Sequence, residues 1–225
     1  MAKHDIEHPP QSVLDAGLAF FGAVTASVTH EQNNVLSVID QTAGLLQDMI
    51  AAEREGTPIN IDRLADAVST VQAQTERSLG VIRRLNRFAH STDAGRVEFD
   101  LSEVLSNLVE LCQRLAKLKY VRLRLRSSAE PLTLVGSPFF AQAAVFLSIR
   151  LALETAERDD TIDVSAHAKG EGVLVTLDCP RQIDTGHRDM AELQLIAKYM
   201  NARVDTISKG LEITFSGGRS NGSQG

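Results

Sequence analysis

The sequence predicts an α+β fold, a long antiparallel helical hairpin followed by a two-layer α/β sandwich. Three observations carry that prediction. From about Gln11 to Glu53 there is no proline, and apolar residues recur at helical spacing. A second helical pattern starts after "EREGTPIN" (53–60), whose Gly and Pro punctuate the chain. Beyond "STDAG" (91–95) the period changes, and short alternating runs are interleaved with three more helical segments.

Taking the elements in order, Leu14, Phe21, Val24, Val28, Val35, Ile39 and Leu46 fall within about 40° of one direction at 100° per residue. This is an amphipathic helix with one stripe to bury. Asn60 stands where an N-cap would precede "IDRLADAV", and the second helix runs to about His90 with the stripe Leu64, Val68, Val71, Thr75, Leu79 and Ile82. A short turn between two long helices makes an antiparallel hairpin. Each stripe is too narrow for a self-sufficient two-helix domain, so a homodimer completing a four-helix bundle is expected.

In the second half, "RVEF" reads as a strand, and Asp100 with Glu103 has the capping-box spacing at the head of a helix over 101–118. "VRLRLRS" (121–127) alternates as a half-buried strand does. A short strand near 132–135, a helix from Ser137 to about Glu157 and a hairpin turning at "KGEG" follow. A helix over roughly 188–201 and the strands "RVDTIS" and "LEITFS" complete the sheet. The expected organisation is a flexible leader 1–10, the helical hairpin 11–92, the α/β domain 96–216 and a Gly/Ser tail 217–225.

Composition excludes several classes of function. The 225 residues carry a formal charge of −6 and no Trp, which argues against a nucleic-acid binder. Cys112 and Cys179 lie far apart without CxxC spacing, so neither a zinc site nor a disulfide framework is expected, and Cys112 reads as core filler. The run "AGLAFFGAVTASV" (16–28) is preceded by Asp5, Glu7 and Asp15 against a single Lys3, the wrong flank for a signal peptide. No run of about 20 apolar residues is evident, so the expectation is a cytoplasmic protein without membrane insertion. His90, His167 and His187 show no metal-ligand spacing, and Arg122, Arg124 and Arg126 read as a solvated strand face.

The residues that bear chemistry sit in "VTHEQNNVLSVI" (28–39). His30 lies about 200° from Val28 around the helix, so it points away from the buried stripe. Asn34 shares its outer face one turn on, Ser37 continues that row, and Glu31 flanks it at the edge of the stripe. An outward imidazole is a competent nucleophile at neutral pH, a neighbouring carboxylate can orient it, and an amide one turn away can hold phosphoryl oxygens or a water.

"SVTHEQNNVLSVI" resembles the phosphoacceptor box of sensor histidine kinases. "TERSLGVIRRLNRFAH" (75–90) resembles the second helix of their dimerisation and phosphotransfer domain, and "VEFDLSEVLSNLVELCQRLAKLKYVRLRL" resembles the entry into their ATPase-like domain. The resemblance spans about residues 20–215 in the right order. It implies a phosphoacceptor role for His30, with Glu31 tuning the imidazole and Asn34 facing the phosphoryl group.

The nucleotide-binding pattern of that family is missing. Its magnesium-binding Asn corresponds to Ala152, and an upstream Asn of the same helix to Ser148. Alanine offers magnesium no oxygen ligand. In "LDCPRQIDTGH" (177–187) Cys179 falls near the expected Asp, and the paired glycines and the lid are absent. A chain that keeps the His-bearing hairpin and a degenerate ATPase-type domain is similar to the dimeric histidine phosphotransferases of bacterial phosphorelays. That similarity implies no nucleotide cofactor, response-regulator receiver domains as partners, and magnesium carried by the receiver. Two rival expectations are a receiver phosphatase using Asn34 and a non-catalytic pseudokinase scaffold.

Overall fold

A computed structural model describes residues 8–126 and 131–216. The expected tail and most of the expected leader lie outside the described residues. In chain order the elements are α1 (Gln11–Arg54), α2 (Ile61–His90), β1 (Val97–Asp100), α3 (Leu101–Leu118), β2 (Arg122–Arg126), β3 (Thr133–Gly136), α4 (Pro138–Thr155), β4 (Thr161–Lys169), β5 (Gly172–Asp178), α5 (Arg188–Tyr199), β6 (Ala202–Ile207) and β7 (Gly210–Phe215). The class is α+β: two long helices, then a mixed sheet with three helices. Thr25–Asn86 forms one compact unit and the rest of the described chain the other, so the dividing points fall inside α1 and α2.

In the Thr25–Asn86 unit, α1 buries Val28 and Val35, and α2 buries Ala67 and Val81. The α2 stripe expected from periodicity only partly coincides with that inner face: Leu64 and Val71 are half-buried, whereas Val68, Leu79 and Ile82 are 44%, 50% and 43% exposed. Helix α2 therefore carries two adjacent apolar faces, and spacing alone does not say which one meets α1. Asn60 caps α2 as expected, its side-chain oxygen accepting from the Arg63 amide at 3.0 Å.

The other unit is built on a five-stranded sheet of order β2-β4-β5-β7-β6, with β2 and β4 parallel and the remaining pairs antiparallel. A separate antiparallel pair, β1 with β3, stands apart from it. Alternation places Leu123, Ile162, Val164, Val175, Leu177, Leu211 and Ile213 in the core and the arginines of β2 on the outer face. Asp100 does cap α3: its carboxylate accepts from the Ser102 amide at 2.8 Å and from Leu132 at 3.1 Å, tying the helix start to the approach to β3. Ser137 caps α4, and Pro138 follows at the first turn, where its missing N–H costs nothing. Gly170, at φ 61°, makes the β4–β5 turn.

Helix α4 is the centre of this unit. Every residue from Pro138 to Ile149 is buried, as are Leu151, Ala152 and Leu153. A helix that is apolar all round must be covered on all sides. Its aromatic residues meet the first turns of α1 and the last of α2: Phe20 lies 5.2 Å from Phe88, 5.3 Å from Phe139 and 4.9 Å from Phe146, centroid to centroid. Phe140 extends the cluster to Tyr199 of α5 at 5.0 Å. By length and composition α1 also contains a stretch able to cross a membrane, contrary to the sequence expectation, although 39% of that stretch is buried within the protein.

Candidate functional site

Helix α1 is continuous through "VTHEQNNVLSVI", so the angular reading holds residue by residue. Val28 and Val35 turn inward, 2% and 1% exposed, while His30 and Asn34 share an exposed face one turn apart. Burying two valines supplies about 1.5–3 kcal/mol each. Exposure of His30 leaves its ring nitrogens open to a partner. Ser37 is exposed on the same outer row, as expected, with its hydroxyl donating to the Asn33 carbonyl at 2.8 Å.

Two polar links cross from α1 to α2 beside His30. The Arg77 guanidinium meets the Glu31 carboxylate at 2.9 Å. One residue along, the Gln32 side-chain amide donates to the Ser78 carbonyl at 3.0 Å, and the Ser78 hydroxyl donates back to the Gln32 oxygen at 2.8 Å. The exposed ion pair contributes at most about 1 kcal/mol, and each hydrogen bond about 1 kcal/mol net. These links are therefore weak as stability and strong as geometry. Glu31 was expected to attend His30, and the structure directs its carboxylate to Arg77. Sequence reading passed over Gln32, Arg77 and Ser78. The signal available was Gln74 and Ser78, polar residues on the inner face of α2 in line with Ala67 and Val81.

In the other unit, the positions that the sequence resemblance sets against nucleotide ligands are buried. Ala152 and Ser148 are fully buried, and the Ser148 hydroxyl is spent on the Ala144 carbonyl at 2.9 Å. Cys179, directly after β5, is buried with its thiol donating to the Arg181 carbonyl at 3.1 Å. Burial is the first cause that raises its pKa, followed by the nearby carboxylates of Asp178 and Asp160 against an opposing backbone hydrogen bond. The thiol thus stays protonated and poorly reactive. Helix α5 packs directly on α4, where the buried Asp189 lies 3.1 Å from Nε of Arg150. His187 caps α5, its Nδ1 accepting from the Asp189 amide at 3.1 Å.

No protein-family model matches this sequence, and no curated protein matches it. Solved structures do resemble it in fold. The Acinetobacter baumannii histidine kinase AdeS is 11% identical, with 79% of this chain and 96% of that one covered and a TM-score of 0.47. A structure described as a bacterial phosphotransferase is 10% identical, covering 86% of this chain and 94% of that one at a TM-score of 0.44. The cytoplasmic segment of the histidine kinase QseC is 20% identical over 55% of this chain and 78% of that one, with a TM-score of 0.44.

Proposed function

We propose that this chain is a histidine phosphotransferase of two-component signalling, relaying a phosphoryl group between receiver-domain aspartates through His30 without using ATP. The observation that carries the reading is the exposed, outward His30 imidazole on a helix pinned to its neighbour at the next two residues. The fully buried Ala152 and Ser148 support the ATP-independent part.

In the transfer, a neutral His30 ring nitrogen attacks phosphorus of a receiver aspartyl phosphate, in line with the bond to the carboxylate oxygen. The N–P bond forms, the P–O bond breaks, and its electron pair leaves with the receiver carboxylate. The other ring nitrogen then yields its proton to solvent. The reverse sequence delivers the group to a second receiver. Magnesium comes with the receiver, so this chain contributes chiefly position. Asn34, one turn on, faces the phosphoryl oxygens. Glu31 influences the imidazole from its tethered place beside Arg77.

The working species is a homodimer. Leu36 and Ile50 of α1 join Val68, Leu79 and Ile82 of α2 as exposed apolar residues of the hairpin, and a second copy would cover them as a four-helix bundle.

The test is label transfer from receiver domains phosphorylated with acetyl phosphate. Wild type should acquire acid-labile phosphate and pass it to a second receiver, and His30→Gln should acquire none while keeping its fold. Uptake by His30→Gln equal to wild type defeats the reading. The exposed Asn34 amide favours one alternative, a receiver phosphatase in which Asn34 positions the attacking water. In that case receivers lose phosphate without labelling the chain, and only Asn34→Ala stops the loss.

A further inference from the structure

We infer that Gln32, Ser78 and Arg77 are positioning residues for His30: a two-rung clamp between α1 and α2 that sets the rotation at which the imidazole meets a receiver. This rests on the phosphotransfer reading above. Glu31 and Gln32 are consecutive on α1, Arg77 and Ser78 consecutive on α2, and the rungs join them in turn. Glu31 and Gln32 lie about 100° apart around α1, so rotation of the helix in either sense stretches one rung. Sliding α1 along its axis breaks both.

The Gln32 rung is also directional. The Ser78 carbonyl can only accept, so the amide nitrogen must face it and the amide oxygen must face the hydroxyl. A flipped amide would set two acceptors against each other. Apolar contacts from Val28, Val35 and Val81 lack this discrimination, since they tolerate small rotations and slides. Polar pairs in an otherwise apolar helical seam are a known means of fixing register at some cost in stability. In-line transfer is steeply sensitive to placement, with a misplacement of about 1 Å costing up to roughly a hundredfold in rate. On this account the neighbouring carboxylate of Glu31 is part of the frame, since Arg77 already occupies it.

The experiment compares two phosphoryl donors on the full chain. Phosphoramidate is small and needs only an exposed imidazole, whereas a phosphorylated receiver must dock and present its phosphorus at a fixed angle. Both labelling rates are measured for wild type, Ser78→Ala, Arg77→Met and Ser78→Thr. The ratio of receiver-driven to phosphoramidate-driven rate should fall about tenfold in Ser78→Ala and Arg77→Met, through kcat with little change in KM. Ser78→Thr keeps the hydroxyl and should restore the ratio. Phosphoramidate labelling in excess of that of His30→Gln confirms that His30 is accessible, and an unchanged circular dichroism spectrum confirms that each variant is folded. A ratio within twofold of wild type in Ser78→Ala and Arg77→Met overturns the clamp and leaves the phosphotransfer reading standing. A fall confined to KM overturns it too, because it marks these residues as docking surface. If wild type takes label from phosphoramidate and from no receiver, the phosphotransfer reading falls and the clamp with it.

Discussion

Around His30 the seam between α1 and α2 admits Gln32 and Ser78 and leaves the imidazole in solvent, whereas α4 buries Ser148, Gln142 and nearly every apolar residue it has. Both are helices in the same chain, and they divide polar and apolar groups in opposite ways. At the hairpin, side chains that could have packed as hydrocarbon form directional links instead, which contribute little energy and hold an angle. At α4, polar side chains that could have met a ligand are absent or turned onto the helix backbone, and the position is closed by packing. The hairpin leaves polar side chains exposed around His30, and α4 is packed on nearly every side.

The largest effect expected from that contrast is on the aromatic cluster. Phe20 is 2% exposed and touches three other rings, so Phe20→Ala should cost about 3–5 kcal/mol in chemical denaturation. His30→Gln, on the exposed face of the same helix, should change stability by less than about 0.5 kcal/mol. Equal losses for the two would mean that α1 is not divided into a structural foot and a chemical middle.

A smaller loss, about 2–4 kcal/mol, is expected for Ala152→Asn, which puts an amide into a fully buried place. The added atoms overpack α4, and the amide must give up its water on burial. Calorimetric titration should detect no saturable ATP binding to this variant or to wild type. Micromolar binding by either would show that α4 retains a nucleotide site and would remove the contrast with the hairpin.

Next in size is Leu79→Asp. Leu79 is half exposed in the single chain, so the helix itself tolerates the charge with a loss of about 1 kcal/mol or less. Association should suffer far more, because a second copy covering this face would bury an unpaired carboxylate. Sedimentation velocity should show monomers with an unchanged helical circular dichroism spectrum. A variant that stays dimeric places the interface elsewhere on the hairpin.

Much of this is legible in the sequence. Asp100, Ser137 and Asn60 announce helix starts because each is followed by a helical apolar period, and β2 announces itself by strict Arg-Leu alternation. The outward phase of His30 follows from its spacing to Val28 and Val35. Three things were not legible, for physical reasons. Helix α2 has apolar residues on two adjacent faces, and periodicity cannot tell a face that meets α1 from one left for another surface. The partners of Glu31 and Gln32 lie 46 residues away, and nothing in local spacing predicts which side chain across a hairpin will meet them. The buried foot of α1 was likewise hidden, since Phe20 and Phe21 look alike in sequence while only Phe20 is fully enclosed.

The smallest predicted effect concerns Cys112 and separates the sealed core from the exposed hairpin by pH. Cys112 is fully buried on α3, and burial pushes its thiol pKa from 9.0 up to about 12. The unfolded chain exposes the thiol, which then ionises near its ordinary value. Below about pH 9 both states hold the proton and the difference contributes nothing against the fold. As pH rises from 9.0 towards 12, the unfolded state releases a proton that the native state retains, so the stability tied to this group is progressively lost. By pH 10 the loss should be on the order of 1 kcal/mol. Cys112→Ala removes the titration while leaving a small cavity whose cost is independent of pH. Urea unfolding of both proteins at pH 8 and pH 10 isolates the slope, since lysines and tyrosines titrate alike in each. Wild type should lose more stability between the two conditions than Cys112→Ala does, by on the order of 1 kcal/mol. Equal losses would mean that solvent reaches the Cys112 thiol and that the core beneath α3 opens readily.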